Sequence, residues 1–347
     1  MAETSNWPDI DLARSAHAQP GILAAVGRTP LVALTRLIPG SRFELYAKLE
    51  ALNPGGSIKD RPATGIMTRA IRTGLVDART VVIESSSGNL AIGLAQVCAY
   101  FGLRFICVVD AKTTSQNVSI LQAFGAEVDV VERPDPVTGE FLPTRLERVR
   151  ELQREHPRTF WPNQYANLDN PLSHQQTMRE IMEALDGHVD YLFCTVSTCG
   201  TLRGCAEYVR RLGASTRIVA VDAVGSVIFG AVGARRLIPG HGAARRPELF
   251  LPGLADRVVH VSDHDCVVGC RSLVRREAIL AGGSSGAAVI AVHRLRNEIP
   301  AGARCVLILP DRGERYLDTI YCDDWVRRHF GEVPDLLTGM PASAAVP

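Results

Sequence analysis

The segment Asn53-Pro-Gly-Gly-Ser-Ile-Lys-Asp-Arg-Pro-Ala63 places Lys59 where its amine can act as a nucleophile. The lysine stands directly before an acidic and a basic residue, behind a Pro-Gly-Gly turn that predicts the start of a helix. A lysine held out of bulk water in such a turn can form a Schiff base with an aldehyde. Loop lysines are usually solvated, so the interpretation depends on whether other segments supply a ligand for this chemistry.

Two polar loops, each between a predicted strand and a predicted helix, offer groups that bind anions. The first, Glu84-Ser-Ser-Ser-Gly-Asn-Leu90, presents hydroxyls, backbone N–H groups and the amide of Asn89. Serine and asparagine are equally favoured as ordinary helix caps. The second, Val196-Ser-Thr-Cys-Gly-Thr-Leu202, lacks the glycine patterns of nucleotide-binding loops. It therefore predicts a site for a single phosphate, formed by Ser197, Thr198, Gly200 and Thr201.

A third loop, Ala281-Gly-Gly-Ser-Ser-Gly-Ala-Ala288, also precedes a predicted helix. Its small residues suit tight helix packing, but its two hydroxyls leave Ser284 free to face a ring nitrogen. Together with Lys59, the three loops predict one ligand that carries a phosphate and a pyridine ring.

The apolar pattern predicts a parallel α/β fold, because short apolar runs alternate with helix-period segments from about residue 45 onward. The predicted strands are 81–83, 105–109, 128–131, 191–196, 217–221, 258–261 and 305–309. The predicted helices include 90–101, ending at Gly102, 115–124, ending at Gly125, and 145–155. Polar or proline-rich loops are predicted at 133–143, 157–171 and 240–252.

We expect two doubly wound, three-layer α/β/α domains. Residues 46–158 would form a smaller, mobile domain on the substrate side, and 13–45 plus 159–330 a larger domain on the phosphate and pyridine side. Residues 331–347 would be a flexible tail. Because ligands of such folds bind where strand ends and helix N-termini converge, we expect the active site in the cleft between the domains.

The composition excludes several classes of protein. The 347 residues include 38 Lys+Arg and 37 Asp+Glu, so no net field attracts nucleic acid or an anionic membrane. The longest apolar stretches are strand-sized, and residues 1–11 do not have the pattern of a secretory signal. These features predict a cytoplasmic protein.

Nine cysteines in such a chain are expected to be reduced thiols. Cys266 and Cys270, with His260 and His264 just upstream, raise the alternative of a zinc site. A second ligand pair at matching distance is missing, so buried thiols and a helix cap are the better interpretation and no metal is predicted.

The ordered set of motifs resembles the β-replacement branch of fold-type II pyridoxal-phosphate enzymes, the cysteine synthase and cystathionine β-synthase family. The segment around Lys59 is similar to the cofactor-lysine motif of that family, and Leu309-Pro-Asp-Arg-Gly-Glu-Arg-Tyr-Leu317 to its closing strand-loop segment. The matches extend from Gly27-Arg-Thr-Pro-Leu31 to about residue 320. The resemblance implies a fold like that of the tryptophan synthase β subunit, and a homodimer.

The resemblance also implies roles for individual residues. Pyridoxal 5'-phosphate would form its Schiff base with Lys59, Asn89 would contact the ring hydroxyl, and Ser284 would face the pyridine nitrogen. Residues Ser197, Thr198, Cys199, Gly200 and Thr201 would cradle the phosphate. The freed amine of Lys59 would then act as the general base. A neutral serine at the ring nitrogen favours loss of a β-leaving group to an aminoacrylate, to which a nucleophile adds.

Two positions and one short segment depart from cysteine synthase. Leu90 replaces a hydroxyl in the substrate-carboxylate loop, and Cys199 replaces a glycine in the phosphate loop. The segment Asn163-Gln-Tyr165 is closer to the cystathionine enzyme. Substrate binding would then depend on Ser86, Ser87, Gly88, backbone amides and Gln164.

Further segments, including Phe141-Leu-Pro-Thr-Arg-Leu-Glu-Arg-Val149, most resemble the N-(2-amino-2-carboxyethyl)-L-glutamate synthases. This resemblance implies O-phospho-L-serine and L-glutamate as substrates, phosphate release, and a role in making the 2,3-diaminopropionate of staphyloferrin B-type siderophores. Arg145 would bind the substrate phosphate or a glutamate carboxylate, with Tyr165 and Ser197 completing the pocket. A solvated charge at the start of a helix is the alternative for Arg145.

Three other functions share these motifs. A cysteine synthase or O-phosphoserine sulfhydrylase would use sulfide as the nucleophile, and a serine/threonine dehydratase would release pyruvate without one. A non-catalytic relative that binds a partner is the third, although the intact Lys59 and phosphate loop argue against loss of activity.

Overall fold

The computed structural model describes residues 21–137 and 139–331, so the predicted tail lies almost entirely outside the described residues. Two sheets organise the described chain, one of six strands and one of four. Within these residues, no helix is long and apolar enough to cross a membrane.

The strands of the six-stranded sheet come from two parts of the sequence, residues 31–49 and 191–309. Its strands are β1 (Leu31–Ala33), β2 (Glu44–Leu49), β7 (Tyr191–Thr195), β8 (Arg217–Ala223), β9 (Arg257–Val261) and β10 (Arg304–Leu309). They lie in the order β1-β2-β10-β7-β8-β9, and only β1 runs antiparallel to its neighbour. Because β10 inserts between β2 and β7, the loop that follows it lies next to segments distant in sequence.

The four-stranded sheet is entirely parallel and comes from the middle of the sequence. Its strands are β3 (Val81–Ser85), β4 (Arg104–Asp110), β5 (Glu127–Val131) and β6 (Thr159–Phe160), in the order β5-β4-β3-β6. Parallel strands require crossover connections, and helices supply most of them.

Helices cover both faces of each sheet. They are α1 (Asp60–Arg72), α2 (Asn89–Phe101), α3 (Ser115–Ala123), α4 (Phe141–Glu155), α5 (Asp169–Ala184), α6 (Gly200–Arg211), α7 (Asp263–Glu277), α8 (Gly283–Leu295) and α9 (Asp323–Phe330). Three short 3-10 helices lie at Ile22–Ala25, Glu50–Leu52 and Glu314–Tyr316.

Alternate residues of the strands belong to different cores, as expected for strands buried on both faces. Phe193 packs with α7 and α8, whereas Leu192 packs with α5 and α6. Likewise Val82 packs with α1 to α3, whereas Ile83 packs with α4. Each sheet is therefore the middle of three layers, which confirms the predicted α/β class. The domain boundaries stay a prediction.

Two segments differ from the sequence expectation. Helix α4 begins at Phe141, four residues before the predicted start, and includes Pro143 in its first turn. Proline is tolerated there because the first N–H groups of a helix have no partner within the helix. Residues 157–171 are not purely loop either, since they contain β6 and the first residues of α5.

A helix cap follows β9 as predicted, although the capping residue is Ser262 rather than an aspartate, and α2 ends at the predicted glycine. Gly102 ends α2 in the left-handed conformation with φ 65°. Ser262 caps α7, and its hydroxyl and the Asp265 carboxylate form a capping box. The buried thiols of Cys266 and Cys270 contact protein groups, with Cys270 donating to the Gly282 carbonyl at 3.2 Å.

Candidate active site

Lys59 lies at the N-cap of α1, at the turn that the Pro-Gly-Gly sequence predicts. The turn is held by neighbouring backbone, since the N–H of Ile58 donates to the Pro310 carbonyl at 2.7 Å. Among the described residues, the Lys59 amine makes no hydrogen bond or ion pair. Desolvation lowers its pKa, while the nearby carboxylate of Asp311 acts in the opposite sense. An amine of this kind is available to react with an aldehyde.

Asp311 connects the three regions that surround Lys59. Its Oδ2 accepts hydrogen bonds from Asn89 Nδ2 at 2.8 Å and from the Tyr316 hydroxyl at 2.6 Å. Its backbone carbonyl accepts from the N–H of Gly282 at 3.1 Å, and Ser57 pairs with it across an isolated antiparallel bridge. The side chain is 2% exposed, and burial raises its pKa. The loop before α1, the start of α2 and the loop before α8 therefore meet at one residue, through its carboxylate and its backbone.

Asn89 begins α2 directly after the polar loop that follows β3. Its amide oxygen accepts a hydrogen bond from Arg315, while its nitrogen donates to Asp311. These two contacts determine which end of the amide is oxygen and which is nitrogen. The contact with the cofactor's ring hydroxyl stays a prediction, and one N–H of the amide remains for it.

The loop after β7 has the backbone geometry of an anion site. Cys199 is the N-cap of α6 and adopts the left-handed conformation with φ 65°, a backbone conformation that favours glycine. A Cβ added to Gly200 would collide with Oδ1 of Asn170, so only glycine fits. Thr198 and Thr201 are buried beside it. Small residues, hydroxyls and the free N–H groups of a helix N-terminus suit a phosphate.

Ser284 is the second residue of α8 and is 8% exposed. No described residue forms a hydrogen bond with its hydroxyl. The tight packing proposed as an alternative for this loop is real but involves other residues, because a Cβ on Gly286 would collide with the Cys266 carbonyl. The loop therefore both packs closely and leaves a neutral hydroxyl for a ring nitrogen.

Two carbonyls of the predicted substrate loop accept hydrogen bonds from the protein, while the space next to its glycine is open. The Ser86 carbonyl accepts from the Cys107 thiol at 3.2 Å, and the Ser87 carbonyl accepts from Asn117 Nδ2 at 2.9 Å. A Cβ added to Gly88 would meet nothing within 4 Å. The hydroxyls and N–H groups of this loop are thus held rigidly at the edge of free space.

Arg145 lies on α4 with its side chain 12% exposed, which excludes a fully solvated charge. Its Nε is buried without a hydrogen bond, although it lies 3.4 Å from Oδ2 of Asp110 in an ion pair. Desolvation raises the pKa of Tyr165, and the positive charge of Arg145 acts in the opposite sense. Arg145 is thus a largely buried cation, and its contact with a substrate stays a prediction.

Glu84 supports the loop that carries Gln164 and Tyr165. Its Oε1 accepts hydrogen bonds from Trp161 Nε1 at 3.0 Å and from the backbone N–H of Ser85 at 2.8 Å. Burial raises its pKa to about 7, and the backbone N–H groups around Gln164 act in the opposite sense. Gln164 is 7% exposed. Sequence reasoning did not single out Glu84, although a carboxyl inside an apolar strand is an unusual signal.

Sequence reasoning also missed a buried ion cluster behind Lys59. Arg61 bonds Glu50 through Nε at 2.7 Å and Glu180 through Nη2 at 2.7 Å, and Lys48 bonds Glu180 at 2.7 Å. Arg61, Lys48 and Glu50 are all no more than 2% exposed in their side chains. The cluster joins β2, α1 and α5 and so fixes the start of the helix that carries Lys59. In the sequence, only the charged residues Lys48 and Glu50, two positions apart at the end of an apolar strand, indicated such a cluster.

An unpaired amine at a helix start, a phosphate loop, a neutral hydroxyl and an oriented amide fit pyridoxal phosphate, on two doubly wound sheets. These features define a pyridoxal-phosphate enzyme of fold type II, which confirms the predicted fold and cofactor. The chain belongs to the pyridoxal-phosphate dependent enzyme family, which it matches over residues 22–311.

Two relatives are named N-(2-amino-2-carboxyethyl)-L-glutamate synthase. The one from Ralstonia nicotianae is 50% identical over 308 residues, covering 88% of this chain and 91% of the relative. The one from Cupriavidus metallidurans is 47% identical over 311 residues, with coverage of 88% and 91%. Among solved structures, a cysteine synthase from Entamoeba histolytica superimposes with a TM-score of 0.83 at 33% identity, covering 89% of this chain and 92% of that one. The predicted family and enzyme class are confirmed.

Proposed function

We propose that this enzyme converts O-phospho-L-serine and L-glutamate into N-(2-amino-2-carboxyethyl)-L-glutamate and phosphate. The observation that carries the proposal is the guanidinium of Arg145, which is largely buried and has an Nε without a hydrogen-bond partner. A phosphate leaving group and a dicarboxylate amine both require such a cation, whereas sulfide does not. The names of the relatives at 50% and 47% identity support the same reaction.

Lys59 would serve first as the cofactor tether and then as the base. When bound, pyridoxal phosphate withdraws electrons and makes the α-proton of an attached amino acid acidic. A freed Lys59 amine with a lowered pKa is more often neutral, so it can accept that proton near neutral pH. Residues 197–201 would hold the cofactor phosphate, and Ser284 would face the ring nitrogen as a neutral group.

The remaining site residues would bind the substrates. Ser86, Ser87, Gly88 and Gln164 would bind the carboxylate of the first substrate. Arg145 would then bind its phosphate and stabilise that group as it leaves. Because Asp110 already neutralises part of the Arg145 charge at 3.4 Å, the released phosphate would not be held irreversibly.

The product mass tests the proposal. Purified enzyme with O-phospho-L-serine and L-glutamate is expected to release phosphate and form the carbon–nitrogen adduct, detected by mass spectrometry. Cysteine formed from sulfide in preference to the glutamate adduct would favour an O-phosphoserine sulfhydrylase, as the likeness to a cysteine synthase suggests. Pyruvate as the main product without any nucleophile would favour a dehydratase. Either result would overturn the proposed reaction.

We also propose that the product supplies 2,3-diaminopropionate for a staphyloferrin B-type siderophore, and that the reaction takes place in the cytoplasm. The enzyme would be a homodimer, and each chain would have the two domains predicted above. Sedimentation velocity tests the dimer, and increased product synthesis under iron limitation tests the siderophore role.

A further inference from the structure

Arg236 lies in the loop after β8, beside the phosphate-binding segment. Its Nη1 donates to the His241 carbonyl at 3.0 Å. The next residue, Gly242, donates its N–H to the carbonyl of Val196 at 2.7 Å. A Cβ on Gly242 would come within 2.7 Å of Arg236 Nη1, so glycine is what allows the guanidinium to lie over this turn. Arg236 is therefore attached to the residue that immediately precedes Ser197.

The backbone on both sides of Arg236 is anchored. The N–H of Ala234 donates to the Gly225 carbonyl at 3.1 Å. The N–H groups of Leu237 and Ile238 donate to the Asp263 carboxylate at 2.7 Å and 3.2 Å. The guanidinium is thus held in place before any ligand binds, which lowers the entropy cost of binding.

Most of the hydrogen-bonding capacity of Arg236 is unused. Its Nε is buried without a hydrogen-bond partner, and within the described part of the chain the side chain makes no ion pair. A buried guanidinium donor without a partner is costly unless a ligand satisfies it.

Tyr165 experiences the positive charge of both Arg236 and Arg145. Its carbonyl accepts the N–H of Leu249 at 3.1 Å, which attaches it to the loop that follows Arg236. The charges of both arginines also lower the pKa of its hydroxyl, although burial is the larger effect and raises it. One guanidinium comes from α4, next to the four-stranded sheet, and the other from the six-stranded side.

We propose that Arg236 binds a carboxylate of the incoming amino donor, so that the two arginines divide the anions of the reaction. Arg145 takes the phosphate of the first substrate, and Arg236 selects a dicarboxylic amine as the second. This inference rests on the proposed function and adds the residue that recognises glutamate.

Steady-state kinetics of Arg236→Gln and Arg236→Lys test the assignment, with Arg235→Gln as the matched control because Arg235 is the exposed neighbour in the same loop. For Arg236→Gln we expect the KM for glutamate to rise about 10- to 100-fold, because the variant loses a hydrogen bond between two charged groups. The KM for O-phosphoserine should be unchanged. Arg236→Lys should restore part of the loss, and Arg235→Gln should behave as wild type.

Two further readouts separate recognition from a merely structural role. Wild-type enzyme should prefer glutamate over glutamine as the amine, and Arg236→Gln should lose that preference. The first-turnover rate of phosphate release from O-phosphoserine without glutamate should be unchanged in Arg236→Gln, since the variant affects only the second substrate. Unchanged glutamate KM and selectivity in a folded Arg236→Gln would overturn the inference, as would an equal rise in both KM values. Failure of the proposed function is distinguishable, because wild-type enzyme itself would then form no glutamate adduct.

Discussion

Asn89 donates its amide N–H to the carboxylate of Asp311 at 2.8 Å, joining residues 222 positions apart in sequence. The same carboxylate accepts from Tyr316, and its own backbone holds Gly282 two residues before Ser284. A residue that need not touch the cofactor thus positions both the amide and the hydroxyl predicted to contact its ring. The family's closing segment around Asp311 therefore acts as a support for the other motifs.

Asp311→Ala is expected to weaken cofactor binding by about tenfold or more, because it releases Asn89 and leaves a buried donor unsatisfied. Titration of apoenzyme with pyridoxal phosphate, followed by visible absorbance, measures the loss. Asp318→Ala is the control, since Asp318 is exposed on the same loop. Equal cofactor affinity in both variants would show that Asp311 does not position the ring contacts.

Lys59→Ala should abolish the visible absorbance of the lysine-bound cofactor and lower kcat by at least about 100-fold, as expected on removal of a general base. The chain has three lysines, at positions 48, 59 and 112, so the attachment site can be identified directly. Borohydride reduction of wild-type holoenzyme followed by peptide mass spectrometry should find the cofactor on Lys59. Lys112→Ala should be normal, because Lys112 is exposed. Cofactor found on either other lysine would contradict the central assignment.

Gly200→Ala should prevent tight cofactor binding, because the added methyl collides with Asn170 beside the predicted phosphate. Gly88→Ala is the informative comparison, since its methyl would enter open space in the predicted substrate loop. That variant should bind the cofactor normally but raise the KM for O-phosphoserine. The two effects are separated by cofactor titration and by kinetics, and the reverse pattern would mean that the roles of the two loops are exchanged.

Glu84 should make the stability of the protein depend on pH near neutrality. Burial raises its folded pKa from 4.5 to about 7, so the folded state holds a proton that the unfolded state releases. Stability should therefore fall as pH rises from about 4.5 to 7 and change no further above that range, by up to about 3 kcal/mol.

Urea unfolding of wild type and Glu84→Gln at several pH values measures this effect. The variant cannot ionise, so its free energy of unfolding should increase relative to wild type as pH rises through this window. A difference that does not vary with pH would mean that the buried carboxyl stays charged in the folded protein.

Arg61→Leu should lower the free energy of unfolding by about 3–5 kcal/mol, because it leaves Glu50 and Glu180 buried without their partner. Arg69→Leu on the same helix should cost less than about 1 kcal/mol, since Arg69 is 63% exposed and pairs with Asp169 at the surface. Denaturant unfolding compares the two, and similar costs would show that the buried cluster does not stabilise α1.

Local sequence patterns were enough to predict much of the fold and the cofactor site. The apolar runs placed seven strands within one or two residues but did not indicate β1, β2 or β6, and the three small polar loops marked the starts of α2, α6 and α8. Strand and helix signals depend on residues a few positions apart, so a single sequence contains them. The early start of α4 was missed because Pro143 normally indicates a break, and only the first-turn position makes it acceptable.

The sequence by itself determined the chemical types at the site: an amine at Lys59, a phosphate loop at 197–201 and a hydroxyl at Ser284. Only the tertiary structure decided which distant groups orient them. The bond from Asn89 to Asp311 and the ion cluster around Arg61 join separate elements. Such contacts depend on the order of strands in the sheets and on packing, which local periodicity does not specify.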